Sequence, residues 1–262
     1  MQRLDPVGIT IQTKNGKVVF VPDPAGLIQN TGVVFFSNET SSQLQITLSG
    51  KAFIGVNANA QSDGIPMPAS GPQALGCSNH AFEPYMLQVS DQLSLIQPGP
   101  PVSFEPLLLT PGNWVIWQNN DGQKHQPAPD IGTTWTTNPP VVQPYDWSVI
   151  VQFPTAGFYP YHCALHPSET GKISVAEKTV TMQAGKFNKN NLPITSGQSV
   201  AWKNTDTQVH QVVPTGGPAW PSPPPGPVNP NDFSAPVKFT ASGTYTYKCK
   251  FHDTETGQIV VS

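Results

Sequence analysis

Short runs of β-branched and aromatic residues punctuate the chain, among them GVVFF at 32–36, NWVIW at 113–117 and QSVAW at 198–202. Runs of this length and residue type suit half-buried strands, and no long segment carries the three-and-four spacing of an amphipathic helix. Thirty prolines and 22 glycines are scattered between the runs. Proline opposes helix interiors, so the pattern predicts an all-β chain with many turns.

The pattern also repeats. YHCALHPSETGKISV at 161–175 reappears as YKCKFHDTETGQIVV at 247–261, displaced by 86 residues. Upstream, TPGNWVIWQNNDGQKHQ at 110–126 matches TSGQSVAWKNTDTQVHQ at 195–211, and TAGFYPYHCALH at 155–166 matches ASGTYTYKCKFH at 241–252. The first third carries the same marks: GVVFFSNETSSQLQ at 32–45 aligns with the Trp-x-Asn strand, and ASGPQALGCSNHAFEPYMLQV at 69–89 with the cysteine segment. Internal repeats weigh more on a fold assignment than local propensity does, and the expected organisation is three tandem domains, 1–91, 92–177 and 178–262. Two proline-rich stretches, 129–144 and 218–232, fall between the upstream histidine and the cysteine of their own repeats. They are expected to be long loops within a domain, not linkers between domains.

Composition narrows the function. Only 11% of the 262 residues are charged and the net charge is -3. Without a run of Lys or Arg there is nothing to neutralise a nucleic-acid backbone or an anionic lipid face, so nucleic acid is excluded as a partner. No stretch of about 18 apolar residues provides a membrane-spanning helix. The opening MQRLDPVGIT has neither the apolar core nor the cleavage site of an export signal.

The candidate chemistry lies in one recurring frame. All three cysteines stand in Cys-x2-His-x2-Glu: Cys77, His80 and Glu83; Cys163, His166 and Glu169; Cys249, His252 and Glu255. The second and third repeats add an upstream histidine, His125 and His210. One thiolate and two imidazoles form the mixed-softness donor set of a copper site with a weaker axial ligand. Structural zinc favours more thiolates at C-x2-C spacing, and calcium or magnesium favours oxygen alone. In the first repeat the upstream position falls near Leu44, so that copy is expected to be degenerate and metal-free, with at most a weak site at Cys77, His80 and Glu83.

These segments resemble the cupredoxin family. The resemblance rests on Trp117 and Asn119 followed by His125, on Tyr161 and Cys163 ending a strand, and on the exit from Gly171; Trp202, Asn204, His210, Tyr247, Cys249 and Gly257 repeat them. Two residues between Cys and His, and two more before the axial position, resemble the short ligand loop of amicyanins. The resemblance implies three Greek-key β-sandwiches and about two coppers per chain, with zinc as a possible substitute. His125, Cys163 and His166 would be equatorial ligands of one site, and His210, Cys249 and His252 of the other. Asn119 and Asn204 would tie the two ligand loops together and orient the thiolate. Methionine is usual at the axial position; here Glu169 and Glu255 stand there, a ligand set similar to that of nitrosocyanin, unless the two carboxylates point away from the metal.

His162, beside Cys163, resembles the histidine that reaches a catalytic copper in copper nitrite reductases. Six histidines leave too few for a three-histidine catalytic site, and no His-x-His pair serves a trinuclear cluster. His162 is therefore expected to be an exposed strand-end residue, and no catalytic residue is assigned. The leading function is single-electron transfer, with a redox protein docking beside the exposed histidines on a rim of Leu165, Pro167 and Phe251. A copper enzyme acting on a small molecule at an open coordination position, and a copper-scavenging module, are the alternatives. The family implies a periplasmic or extracellular location, consistent with three thiols lacking an obvious disulfide pairing.

Overall fold

A computed structural model describes residues 7–23, 26–28, 32–99, 102–221 and 224–262. The MQRLDP opening, and with it the start of the first repeat, lies outside the described residues, as do two positions of the second proline-rich stretch. The described chain is all-β: it is built of strands and turns and contains no helix. Among the described residues no helix is long and apolar enough to cross a membrane.

The strands form six sheets, two from each repeat. In the second repeat, Gln92–Gln97 lies between Ser103–Phe104 and Asn113–Asn119, with Val151–Phe153 at the far edge. The facing sheet runs Leu107–Leu109, Thr170–Val175, Gly157–Cys163 and Pro127–Pro129. The third repeat has the same order, with Ser199–Asn204, Gly243–Cys249 and Thr256–Val261 in the corresponding places. In all three repeats the first strand pairs in parallel with the Asn-ending strand, as in Gln92↔Val115 and Lys178↔Val200.

Alternation within the strands explains why the sheets face each other. In Val33–Asn38 every second residue is buried, placing Val34, Phe36 and Asn38 inward, the two-residue period of a pleated strand with one face on a core. Each sheet pair has its own apolar core. In the second, Trp117, Tyr161, Phe153 and Ile173 are buried; in the third, Trp202, Tyr247, Phe239 and Ile259 take those roles. The turns before the Trp strands need glycine: Gly112 and Gly197 have φ of +93° and +91°, a region that disfavours other residues.

The proline-rich stretches fold back on their own repeats. Trp135 stacks on Trp117 with ring centroids 5.2 Å apart, and Trp220 on Trp202 at 5.9 Å. Further along, Val142 exchanges backbone hydrogen bonds with His125, and Val228 does the same with His210. The loops therefore lie over the core and clamp the histidine segments.

Candidate metal centres

Each centre is assembled at one end of its sheet pair. In the second repeat the strand Asn113–Asn119 ends at a buried asparagine. Its Nδ2 donates to the carbonyls of Gln123 and Gln143, at 2.7 and 3.0 Å, and its Oδ1 accepts the amide of Asp121. The loop that follows is thus wrapped round one side chain and delivers His125, fully buried. Asn204 does the same for His210 through Gln208, Val228 and Asp206.

These amides differ from expectation in one respect. Their own hydrogen bonds go to the histidine loop and the proline-rich loop, and in the second repeat it is the backbone N–H of Gln126, next to His125, that reaches Cys163 Sγ at 3.4 Å. The two ligand loops are joined instead by backbone, with Ala164 donating to Gln126 and Lys250 to Gln211.

The downstream ligand loop is a compact turn closed by backbone bonds. Cys163 donates to the Glu169 carbonyl, His166 to Cys163, and Glu169 to His166. Cys249 likewise donates to the Glu255 carbonyl and Glu255 to His252. That turn places His125, Cys163, His166 and Glu169 with one donor atom each within 4.8 Å of one another, and His210, Cys249, His252 and Glu255 likewise. Cys163 Sγ lies 3.7 Å from His125 Nδ1 and 3.6 Å from His166 Nδ1; the corresponding distances at Cys249 are 3.5 and 3.4 Å. Glu169 Oε2 and Glu255 Oε2 are each 2.9 Å from the Nδ1 of the buried histidine. Both carboxylates face the cluster. Their neighbours His166 and His252 are partly exposed, at 38% and 34%.

Two aspartates outside the Cys-x2-His-x2-Glu frame also belong to the centres. Asp121 Oδ2 is 2.8 Å from His125 Nε2, and Asp206 Oδ2 is 3.0 Å from His210 Nε2. The signal was present as Asn-x-Asp-x3-His in both repeats. The hydrogen bond to histidine is the main cause that holds both aspartates below the usual carboxylate range.

These contacts decide whether a cation fits. A carboxylate can only accept, so the Asp206 contact assigns the proton of a neutral His210 ring to Nε2. The Nδ1 lone pair then points at Glu255 Oε2, a buried oxygen with no hydrogen-bond donor. The 2.9 Å separation does not make this contact a hydrogen bond, because neither atom supplies a proton in that tautomer. Two lone pairs and a buried thiol converging on one point suit a metal ion. One sulfur, two imidazoles and a carboxylate fit copper, about two ions per chain, with zinc able to take the same donors. The aspartates are the outer partners that such histidines commonly have.

The first repeat keeps the scaffold and lacks the site. Asn38 is buried and donates to Ser42, Val56 and Asn57, while its Oδ1 accepts the Thr40 amide. Thr40 stands where the others have aspartate, and buried Leu44 stands at the position of the histidine. Cys77 is buried with Sγ 3.0 Å from Asn79 Oδ1, whereas His80 and Glu83 are exposed. The three do not gather into a group like the other two. His162 is partly exposed, with Nδ1 2.6 Å from Asp130 Oδ1. All three cysteines are free thiols.

No protein-family model matches the sequence. Over 76 residues the chain is 36% identical to amicyanin-alpha of Methylorubrum extorquens, which amounts to 29% of this chain and 64% of that protein's length. Among solved structures, a purple cupredoxin from Nitrosopumilus maritimus is similar at 26% identity, covering 32% of this chain and 99% of its own, with a TM-score of 0.30. A copper-containing nitrite reductase from Thermus scotoductus SA-01 covers 98% of both chains at 12% identity and a TM-score of 0.30. An amicyanin from Paracoccus versutus covers 32% of this chain and 79% of its own at 21% identity, with a TM-score of 0.27.

Proposed function

We propose that this chain, all-β and cupredoxin-like in its two His-Cys-His-Glu groups, is a single-electron carrier with copper centres in its second and third repeats. His125, Cys163, His166 and Glu169 would hold one ion, and His210, Cys249, His252 and Glu255 the other. The observation that carries the reading is the convergence, twice over, of a buried thiol, a buried histidine, a half-exposed histidine and a carboxylate.

Bound copper supplies the one-electron couple. The protein's part is to keep the donors still. Buried Cys163 and Cys249 end core strands, and buried His125 and His210 are clamped by backbone and by aspartate, so little reorganisation accompanies a change of charge. His166 and His252 form the outward edge of each centre, beside exposed Leu165 and Phe251. A redox protein with an apolar face would dock there and approach the donors closely. The reading places the protein outside the cytoplasm, where thiols held by metal escape disulfide formation.

The test is copper counting with voltammetry. Cys163→Ser and Cys249→Ser should each remove one of the two coppers, and the intact protein should give reversible one-electron waves. Glu169→Met or Glu255→Met should raise the potential of its own centre, because a thioether favours Cu(I) more than a carboxylate does. A colourless protein holding only zinc would overturn the electron-carrier reading.

A further inference from the structure

The two centres share their donors and differ in how the carboxylate is held. At the third-repeat centre Glu255 is 2% exposed, and its Oε1 accepts the backbone N–H of Gly185 at 3.1 Å. Gly185 sits in the hairpin Gln183↔Lys186 with φ +77°, a conformation that turns its amide toward the glutamate. With Oε1 held by this amide and Oε2 turned to the cluster, the carboxylate must break a hydrogen bond to rotate away.

The second-repeat centre has no such lock. Glu169 is 12% exposed and its Oε2 faces His125, but among the described residues no N–H bonds its other oxygen. The corresponding strand pair has Gln97↔Ser103, and in sequence the five residues between are Pro98, Gly99, Pro100, Pro101 and Val102, of which Pro100 and Pro101 lie outside the described residues. Three of these are prolines and have no N–H to give. The backbone of both glutamates is fixed alike, by the Cys–Glu and Glu–His bonds of the turn, so the difference is confined to the side chain.

Resting on the reading that these groups hold copper, we propose that the second-repeat centre also binds a small exogenous monoanion, and binds it more readily than the third-repeat centre does. With copper bound, Glu169 would turn to solvent and the anion would take its place: one carboxylate bond would be given up for one anion bond, so the charge of a largely buried centre would stay unchanged and the cost of an uncompensated buried charge would be avoided. Glu255 cannot yield in this way without losing the Gly185 hydrogen bond. Attraction alone would give the opposite order, since Lys248 and Lys250 flank the third-repeat loop.

The experiment uses the two full-length single-centre proteins, Cys249→Ser, which keeps the second-repeat centre, and Cys163→Ser, which keeps the third. Each is loaded with Cu(II) and titrated with azide while the thiolate-to-copper absorption band and bound copper are followed. The Cys249→Ser protein should shift its band at an azide concentration about tenfold or more below that needed for Cys163→Ser, the size expected for one hydrogen bond to a charged group. Replacing Ala184 and Gly185 of the Cys163→Ser protein with the Pro98–Val102 hairpin should make it sensitive. So should exchanging Gly185 for its ester analogue, which deletes the N–H alone and guards against a misfolded graft. Equal response of the two centres, response only of the third, or no response with both bands intact would overturn the inference. Absence of a thiolate-to-copper band in both proteins before azide is added would sink the copper reading itself, and the inference with it.

Discussion

An aspartate four residues before a buried histidine settles which imidazole nitrogen faces the cluster. With Nε2 engaged by Asp121 or Asp206, Nδ1 is left to coordinate. Replacing either aspartate with asparagine keeps the shape and removes the charge. Asp121→Asn and Asp206→Asn should each weaken copper binding at their own centre by about 10–100-fold, measured by competition with a chelator of known affinity, and leave the other centre unchanged. At this scale the cysteines, histidines and glutamates were legible because three copies of one frame stood in register. The aspartates were equally visible in two copies, but their role depends on the Asn119 and Asn204 wraps, which only the folded loop reveals. Leu44 is the opposite case: one substitution at a ligand position, readable in sequence, marks the copy that does not assemble a group.

At the level of strands, the glycine two residues beyond Glu169 and beyond Glu255 has a packing role. A Cβ at Gly171 would lie 2.3 Å from the ring of Tyr161, and one at Gly257 2.5 Å from the ring of Tyr247. Each tyrosine lies on the neighbouring strand directly opposite, in the pairs Tyr161↔Gly171 and Tyr247↔Gly257. Gly257→Ala should therefore destabilise the protein by about 1–3 kcal/mol, the usual cost of overpacking, with denaturant unfolding as the measure. The strands and their inward faces were legible from alternation and β-branched runs. Their partners were not, because the parallel pairing of Gln92–Gln97 with Asn113–Asn119 joins segments whose register is set by the whole sheet pair. The hairpin difference between Gln97–Ser103 and Gln183–Lys186 was equally hidden, as nothing local says that one turn reaches a glutamate seventy residues downstream.

Across the whole molecule, the second and third repeats touch through specific bonds. Ser174 Oγ donates to the Ser234 carbonyl at 2.9 Å, and Lys172 pairs with Asp232. Asp232 also accepts the Asn204 amide through its own carbonyl, so this contact borders the support of His210. Three repeats were legible from the 86-residue displacement; these contacts were not, since Asp232 and Ser234 match Asp146 and Ser148 of the second repeat and nothing in the alignment says that one copy of the pair meets a neighbouring repeat. Stability on the alkaline side also belongs to this scale. Burial pushes the phenols of Tyr161 and Tyr247 up to about 12. Unfolding returns them to about 10, so their contribution is complete below about pH 10 and is lost as pH rises through about 12. Tyrosinate absorbance from these two should appear only together with unfolding; early titration of all six tyrosines in folded protein would contradict the buried placement.

The closing strand of each repeat pairs in parallel with a strand near its beginning: Thr170–Val175 with Leu107–Leu109, and Thr256–Val261 with Asn191–Ile194. On the ribosome, therefore, neither sheet pair can shut until its last residues have emerged, and the cysteine turn is among the final pieces to leave the tunnel. The buried histidine is made first and waits for its thiol. Whether the chain emerges from the ribosome or from an export channel, the second repeat emerges before the third, so its donors are the first free to close into a cage.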